Sequence, residues 1–202
     1  MRPAAASSTS PLRTPNRTHA NKALFLDRDG VVNIDLGYVH RTENFLFRDG
    51  IFDLCRAAQT LGYLLVIVTN QAGIARGYYT ELAFLELTAW MIHKFAQQRI
   101  EIARVYYCPY HPTDGVGAYK RASQDRKPQP GMLLRASSDF HLDLTSSVLV
   151  GDTLSDIHAA RVAGVGLKIL LRPGAADIQI QEDHYYLSNS LDDIRHRFFS
   201  AH

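Results

Sequence analysis

Ala23-Leu24-Phe25-Leu26-Asp27-Arg28-Asp29-Gly30 runs from four consecutive apolar residues straight into three charged ones and a glycine. A short continuous apolar run closed by polar residues is the pattern of a strand buried on both faces. The pattern recurs downstream. Residues 64–68 give way to Thr69-Asn70-Gln71, and 148–150 give way to Gly151-Asp152. Further short apolar runs stand at 104–107, 167–171 and 185–187. Between them, residues 50–61, 80–98, 131–140 and 154–163 carry helical spacing, with Gly62 and Gly164 as stops. In the longest of these helices Thr80 is the expected N-cap, and Leu82, Leu85, Trp90, Ile92 and Phe95 are candidates for its buried face. Continuous apolar strands alternating with helices predict βα units. The expected fold is therefore α/β, an open doubly wound parallel sheet without a large cap domain, spanning residues 21–202 as one domain.

Composition narrows the partners. A formal net charge of +2 over 202 residues gives no electrostatic case for nucleic acid or a membrane surface. No apolar run of about 18 residues predicts a transmembrane helix. Two cysteines, Cys55 and Cys108, cannot form a disulfide scaffold, so a reducing, cytoplasmic setting is the simpler expectation. A monomer is the default for a small domain with short loops. Residues 1–20 hold no acid and are rich in Ser, Thr, Pro and Arg. They read as a disordered extension, with an organellar targeting segment as the alternative.

In doubly wound sheets, ligands bind beyond the carboxyl ends of the strands, where the strand order reverses. Four polar clusters fall at such places: Asp27-Arg28-Asp29-Gly30, Thr69-Asn70-Gln71, Arg126-Lys127 before a helix, and Gly151-Asp152. Taken singly, each could be an N-cap or a turn. Taken together they describe a site. Clustered carboxylates repel one another and call for a cation, and oxygen ligands suit magnesium. Thr69 and Lys127 add a hydroxyl and an ammonium suited to a phosphate.

These four clusters, with Thr153-Leu154-Ser155-Asp156 after the last, resemble the motifs of the haloacid dehalogenase superfamily of phosphatases. The resemblance covers residues 23–173 and reaches a subfamily. Residues 25–33 (FLDRDGVVN), 37–39 (GYV), 69–80 (TNQAGIARGYYT) and 125–132 (DRKPQPGM) are similar to the D-glycero-D-manno-heptose 1,7-bisphosphate 7-phosphatases, which serve nucleotide-activated heptose and lipopolysaccharide synthesis. The resemblance implies Asp27 as nucleophile, forming an aspartyl-phosphate, and Asp29 as general acid and base. It implies magnesium on Asp27, Asp152 and the Asp29 carbonyl, with Thr69 and Lys127 gripping the phosphoryl group. Asp35, Gly37, Tyr38, Asn70, Gln71 and Arg126 become substrate contacts, Arg126 for the second phosphate of a small sugar bisphosphate. Asp156 is either an orienter of metal-bound water or simply an acid in the first turn of a helix. Arg28 and His40 receive no role.

The pattern departs from its relatives in two places: Thr153 follows Asp152 where many relatives have Lys, a change that touches nothing central, and the loop before Arg-Lys-Pro differs. The relatives carry a structural zinc on Cys-x-His and Cys-x-Cys pairs before Arg-Lys-Pro. Here Cys108 is followed by Tyr110, and Ser123 and Asp125 stand where the second pair belongs, so zinc is not expected. Cys108, His111 and Asp125, with a fourth ligand such as Asp114, are residues that could improvise a site. Three other functions compete: a histidinol-phosphate phosphatase, which shares DRDG and Arg-Lys-Pro; a polynucleotide 3′-phosphatase; and a receiver-like domain that only accepts phosphate on Asp27. Pro130-Gly131-Met132 favours the heptose enzymes over the first. The absence of a further basic patch weighs against the second, and Asp29 against the third.

Overall fold

The computed structural model describes residues 21–175, 178–180 and 184–200; the extension expected at residues 1–20 lies outside them. The sheet has seven strands: β1 (Lys22–Leu26), β2 (Tyr63–Asn70), β3 (Ile102–Cys108), β4 (Val148–Gly151), β5 (Leu167–Leu171), β6 (Ile178–Ile180) and β7 (Tyr185–Ser188). Their order is β3-β2-β1-β4-β5-β7-β6, parallel throughout except for the terminal β6–β7 pair. The helices are α1 (Ile51–Thr60), α2 (Ala72–Ala75), α3 (Glu81–Gln97), α4 (Gly131–Phe140), α5 (Leu154–Ala163) and α6 (Leu191–Phe198).

Alternate residues of the central strands feed two separate cores, as the period of two along a strand requires. Leu24, Leu26, Leu65 and Ile67 pack on one face with α1, α3 and α6. Ala23, Phe25, Val66 and Val68 pack on the other with α4 and α5. The sheet is thus covered on both sides, and the doubly wound α/β fold stands. Among the described residues no helix is long and apolar enough to cross a membrane.

The buried face of α3 corrects the sequence expectation. Thr80 does cap the helix, its side chain accepting from the Ala83 N–H. The face it buries, however, is Phe84, Leu87, Thr88, Met91 and Phe95. Leu82 and Leu85 are exposed, while Trp90 and Ile92 pack only at the margin. Apolar residues line more than one side of this helix, so composition alone could not choose the stripe; the i, i+3, i+4, i+7 set starting at Phe84 is the one facing the sheet.

Strand order reverses around β1, whose neighbours are β2 and β4. The carboxyl ends of these three strands therefore open on the crevice where this architecture binds its ligands.

Candidate active site

Asp27 is the first residue beyond β1, and its N–H donates to the Val150 carbonyl at 3.0 Å, tying it to the end of β4. The chain then turns back: the N–H groups of Val32 and Asn33 both donate to the Arg28 carbonyl, at 2.8 and 3.0 Å. Gly30 makes the turn at φ +88°, where any side chain would also run into the Asp152 carboxylate. Only glycine satisfies both demands. Asp27 and Asp152 are thereby brought together from two strands.

Lys127 arrives from the loop before α4 and is buried at 4% exposure. Its ammonium lies 2.9 Å from Asp27 Oδ1 and 2.5 Å from Asp156 Oδ1, and it donates to the Val68 carbonyl at 2.9 Å. Its backbone is held as well. The Lys127 N–H donates to Asn70 Oδ1 and the Asn70 amide donates to the Lys127 carbonyl, both at 3.0 Å. Asn70 is therefore a clamp on the Lys127 backbone as much as a polar wall of the site.

The electrostatics follow from burying like charges together. Burial drives the Asp27 carboxyl well above its ordinary range; Lys127 pulls it back, while Asp156 and Asp152 push it further up. Asp152 is pushed up to about 6, first by burial and then by Asp156. Burial works against the Lys127 ammonium, but Asp156 and Asp27 outweigh it and hold that group above its ordinary value. Among the described residues, Asp27, Asp152 and Asp156 form the one cluster that could hold a metal ion, each offering an oxygen within 4.8 Å of the others. An all-oxygen set of mutually repelling carboxylates fits a hard divalent cation. Asp156 is the least available of the three. Its Oδ1 meets Lys127, and its Oδ2 accepts from the Thr153 N–H at 3.2 Å and the Thr153 hydroxyl at 2.6 Å. It closes the first turn of α5 and holds Lys127, and of its two candidate roles the helix-turn acid is the one these contacts describe.

Asp29 sits in a cage of donors. Arg28 reaches both its oxygens (2.8 and 2.7 Å), Asn33 donates at 3.1 Å, and Gln71 at 3.2 Å. Arg28, for which the sequence suggests no role, is fully buried behind Asp29 and also donates to the Val39 carbonyl. Gln71, a candidate substrate contact, does line the crevice. Its side chain is nonetheless buried and committed internally, to Asp29, Thr69 and Tyr79.

A crevice of about 360 Å³ opens beside Asp29, lined by Asp35, Gly37, Tyr38, Asn70, Gln71 and Tyr79 among others. Asp35 is exposed and shapes its own loop, accepting from the Gly37 N–H at 2.8 Å. Tyr38, at φ +52°, bonds through its hydroxyl to Arg76, a residue inside the 69–80 stretch to which the sequence reading gives no role. Arg76 also pairs with Asp114 at 2.7 Å. Arg126 is half-buried and donates to the Tyr110 carbonyl at 3.3 Å. Burial, and then the nearby charge of Arg76, lower its affinity for its proton. The two guanidinium groups are both tied to the 109–125 loop, Arg76 through Asp114 and Arg126 through the Tyr110 carbonyl.

The loop at 109–125 is closed by organic contacts. Glu81 accepts from the Tyr107 hydroxyl at 2.5 Å and the Tyr119 hydroxyl at 2.9 Å. Asp125 pairs with Arg135, Asp114 with Arg76, and the guanidinium of Arg121 lies 3.8 Å above the Tyr110 ring. The Cys108 thiol is buried and approaches the Tyr110 carbonyl, and His111 Nδ1 accepts from the Asp114 N–H at 3.0 Å.

An aspartate pair beyond the first strand, a buried lysine and a third carboxylate at the switch point define a haloacid-dehalogenase-type phosphatase, and the HAD-hydrolase-like family matches residues 124–194. The chain belongs to that class of phosphoric monoester hydrolases, and within it to the heptose-1,7-bisphosphate 7-phosphatase family. It is 57% identical over 151 residues, 75% of this chain and 80% of the relative, to the D-glycero-alpha-D-manno-heptose-1,7-bisphosphate 7-phosphatase of Burkholderia mallei. It is 51% identical over 155 residues, 77% and 83% of the two chains, to the D-glycero-beta-D-manno-heptose-1,7-bisphosphate 7-phosphatase of Vibrio cholerae. The structure of D,D-heptose 1,7-bisphosphate phosphatase from B. bronchiseptica, complexed with magnesium and phosphate, superimposes with a TM-score of 0.73 at 26% identity, covering 87% of this chain and 97% of the other.

Proposed function

We propose that this chain removes the 7-phosphate of D-glycero-D-manno-heptose 1,7-bisphosphate through an aspartyl-phosphate on Asp27. The observation that carries the chemistry is the Lys127 ammonium 2.9 Å from Asp27 Oδ1 at the switch point of the sheet. The substrate follows from the relatives' activities.

An Asp27 oxygen attacks the 7-phosphorus as the bond from phosphorus to the C7 oxygen breaks, and that oxygen takes a proton from Asp29. Water then attacks the same phosphorus while Asp29 takes its proton; the bond to Asp27 breaks and inorganic phosphate leaves. Lys127 and the Thr69 hydroxyl hold the phosphoryl oxygens in both steps. Asp27, Asp152 and the Asp29 backbone carbonyl would hold magnesium, which when bound supplies positive charge against the developing oxyanion. The guanidinium groups of Arg126 and Arg76 suit the second phosphate, and Asp35 a sugar hydroxyl. Every residue in this scheme comes from one chain, so a monomer is complete. Two free thiols agree with a cytoplasmic setting, and loop 109–125 works without zinc.

Turnover of heptose 1,7-bisphosphate, histidinol phosphate and a 3′-phosphorylated oligonucleotide under identical magnesium tests the substrate. The first should be preferred by at least about a hundred-fold in kcat/KM, since a second phosphate engages two cations. Preference for either of the others would overturn the assignment.

A further inference from the structure

Tyr79 lies outside the strand ends and carries no charge, yet three contacts lock it onto the site. It is buried, at 8% exposure, in the segment entering α3. Its hydroxyl donates to Gln71 Oε1 at 2.6 Å. The ring stacks on His40 with centroids 4.9 Å apart and planes 8° from parallel. A further constraint comes from Gly73, where a Cβ would collide with the ring.

A carboxamide has one accepting end and one donating end. With Oε1 taken by the phenol, Gln71 Nε2 faces Asp29 Oδ2 at 3.2 Å and Thr69 Oγ1 at 2.8 Å. Turning the amide over would set its oxygen against the Asp29 carboxylate, acceptor against acceptor. The Asp29 carboxylate, which only accepts, sets the sense of the amide, and the tyrosine hydroxyl then anchors the amide's oxygen end, so that the amide is held in place against Asp29. We propose that Tyr79 is a positioning residue for Asp29, acting through Gln71. This rests on the reading of Asp29 as the general acid and base. Tyr79 borders the crevice, but it is nearly buried and its hydroxyl is spent on Gln71, so its part in the reaction is through Asp29.

A proton donor matters most when the leaving oxygen is basic. Tyr79→Phe, which keeps the ring, should therefore be compared on heptose 1,7-bisphosphate and on 4-nitrophenyl phosphate, whose leaving group departs without protonation. The variant should lower kcat on the sugar ester by about ten-fold, part of the hundred-fold or more that general acid catalysis supplies. KM should stay within about two-fold, and the single-turnover rate of nitrophenolate release, which reports formation of the aspartyl-phosphate before Asp29 is needed as a base, within about three-fold of wild type. If Tyr79→Phe melts early, the same comparison run below its transition, with the fold checked by circular dichroism, keeps the split readable. Equal losses on both esters, or no loss on either, would overturn the proposal. Asp29→Asn separates the two levels. If it too spares the sugar ester, the acid/base reading falls. If it disables the sugar ester while Tyr79→Phe does not, only the positioning role falls.

Discussion

The centre around Lys127 and the loop at 109–125 sit a few residues apart in the chain and are built in opposite ways. The centre buries charge: one ammonium between Asp27 and Asp156, with Asp152 beside them. The loop is held mainly by neutral hydroxyls on one carboxylate, Glu81, and by ion pairs open to solvent, such as Asp125 with Arg135. Buried charges interact strongly and cannot be removed singly without leaving a partner unpaired. Exposed pairs are screened and contribute little each. Charge is thus concentrated where a phosphoryl group must be met by a preorganised field, and the loop that leads to Arg126 is shaped by contacts that tolerate loss.

Breaking the centre should therefore give the largest effect. Lys127→Met leaves Asp156 buried without its cation, so unfolding by denaturant should show a loss of about 3–5 kcal/mol. Turnover should fall by at least about a hundred-fold as an oxyanion donor disappears. A variant that folds normally and keeps its activity would contradict the electrostatic account.

A subtler effect concerns pH. The Asp152 carboxyl is lifted by burial from 3.8 to about 6. A carboxyl lifted on folding favours the folded state in acid, and that contribution is lost as pH rises through this window. The metal-free protein therefore carries an unrelieved negative charge above about pH 6. Magnesium should raise the melting temperature clearly at pH 7.5, with the increment shrinking below about pH 6 as Asp152 takes a proton. An increment independent of pH would remove Asp152 from the metal site.

The smallest effect belongs to the loop. Glu81→Ala should cost about 1–3 kcal/mol, because two tyrosine hydroxyls lose their acceptor. It should raise KM for the bisphosphate more than it lowers kcat, since Arg126 follows the loop. Elemental analysis should find no stoichiometric zinc, and one equivalent would replace Glu81 as the explanation of the loop's shape.

Much of this architecture is legible in the order of residues alone. Continuous apolar runs ending in Asp27, Thr69 and Asp152 announce both the parallel sheet and the residues at its mouth. The features that are not legible depend on contacts distant in sequence or on weak local signals. Gln71 reads as a polar residue after a strand, and nothing in its neighbours reveals that it reaches Asp29, 42 positions away. The edge strand β6 has three residues with little burial, so no periodicity marks it. The helix α6 buries only Leu191 and Ile194, although the Ser190 cap accepting from the Asp193 N–H is a readable start signal.

The central claim is covalent: phosphate passes through Asp27. Asp29→Asn should slow breakdown of the phosphoenzyme more than its formation from an ester whose leaving group needs no proton, so acid quenching during turnover of 4-nitrophenyl phosphate labelled in its phosphate should trap the phosphoenzyme for peptide mapping. The account predicts one label per chain, on the peptide containing Asp27, and none in Asp27→Asn. Label on another residue, or an Asp27→Asn variant that still turns over substrate, would contradict it.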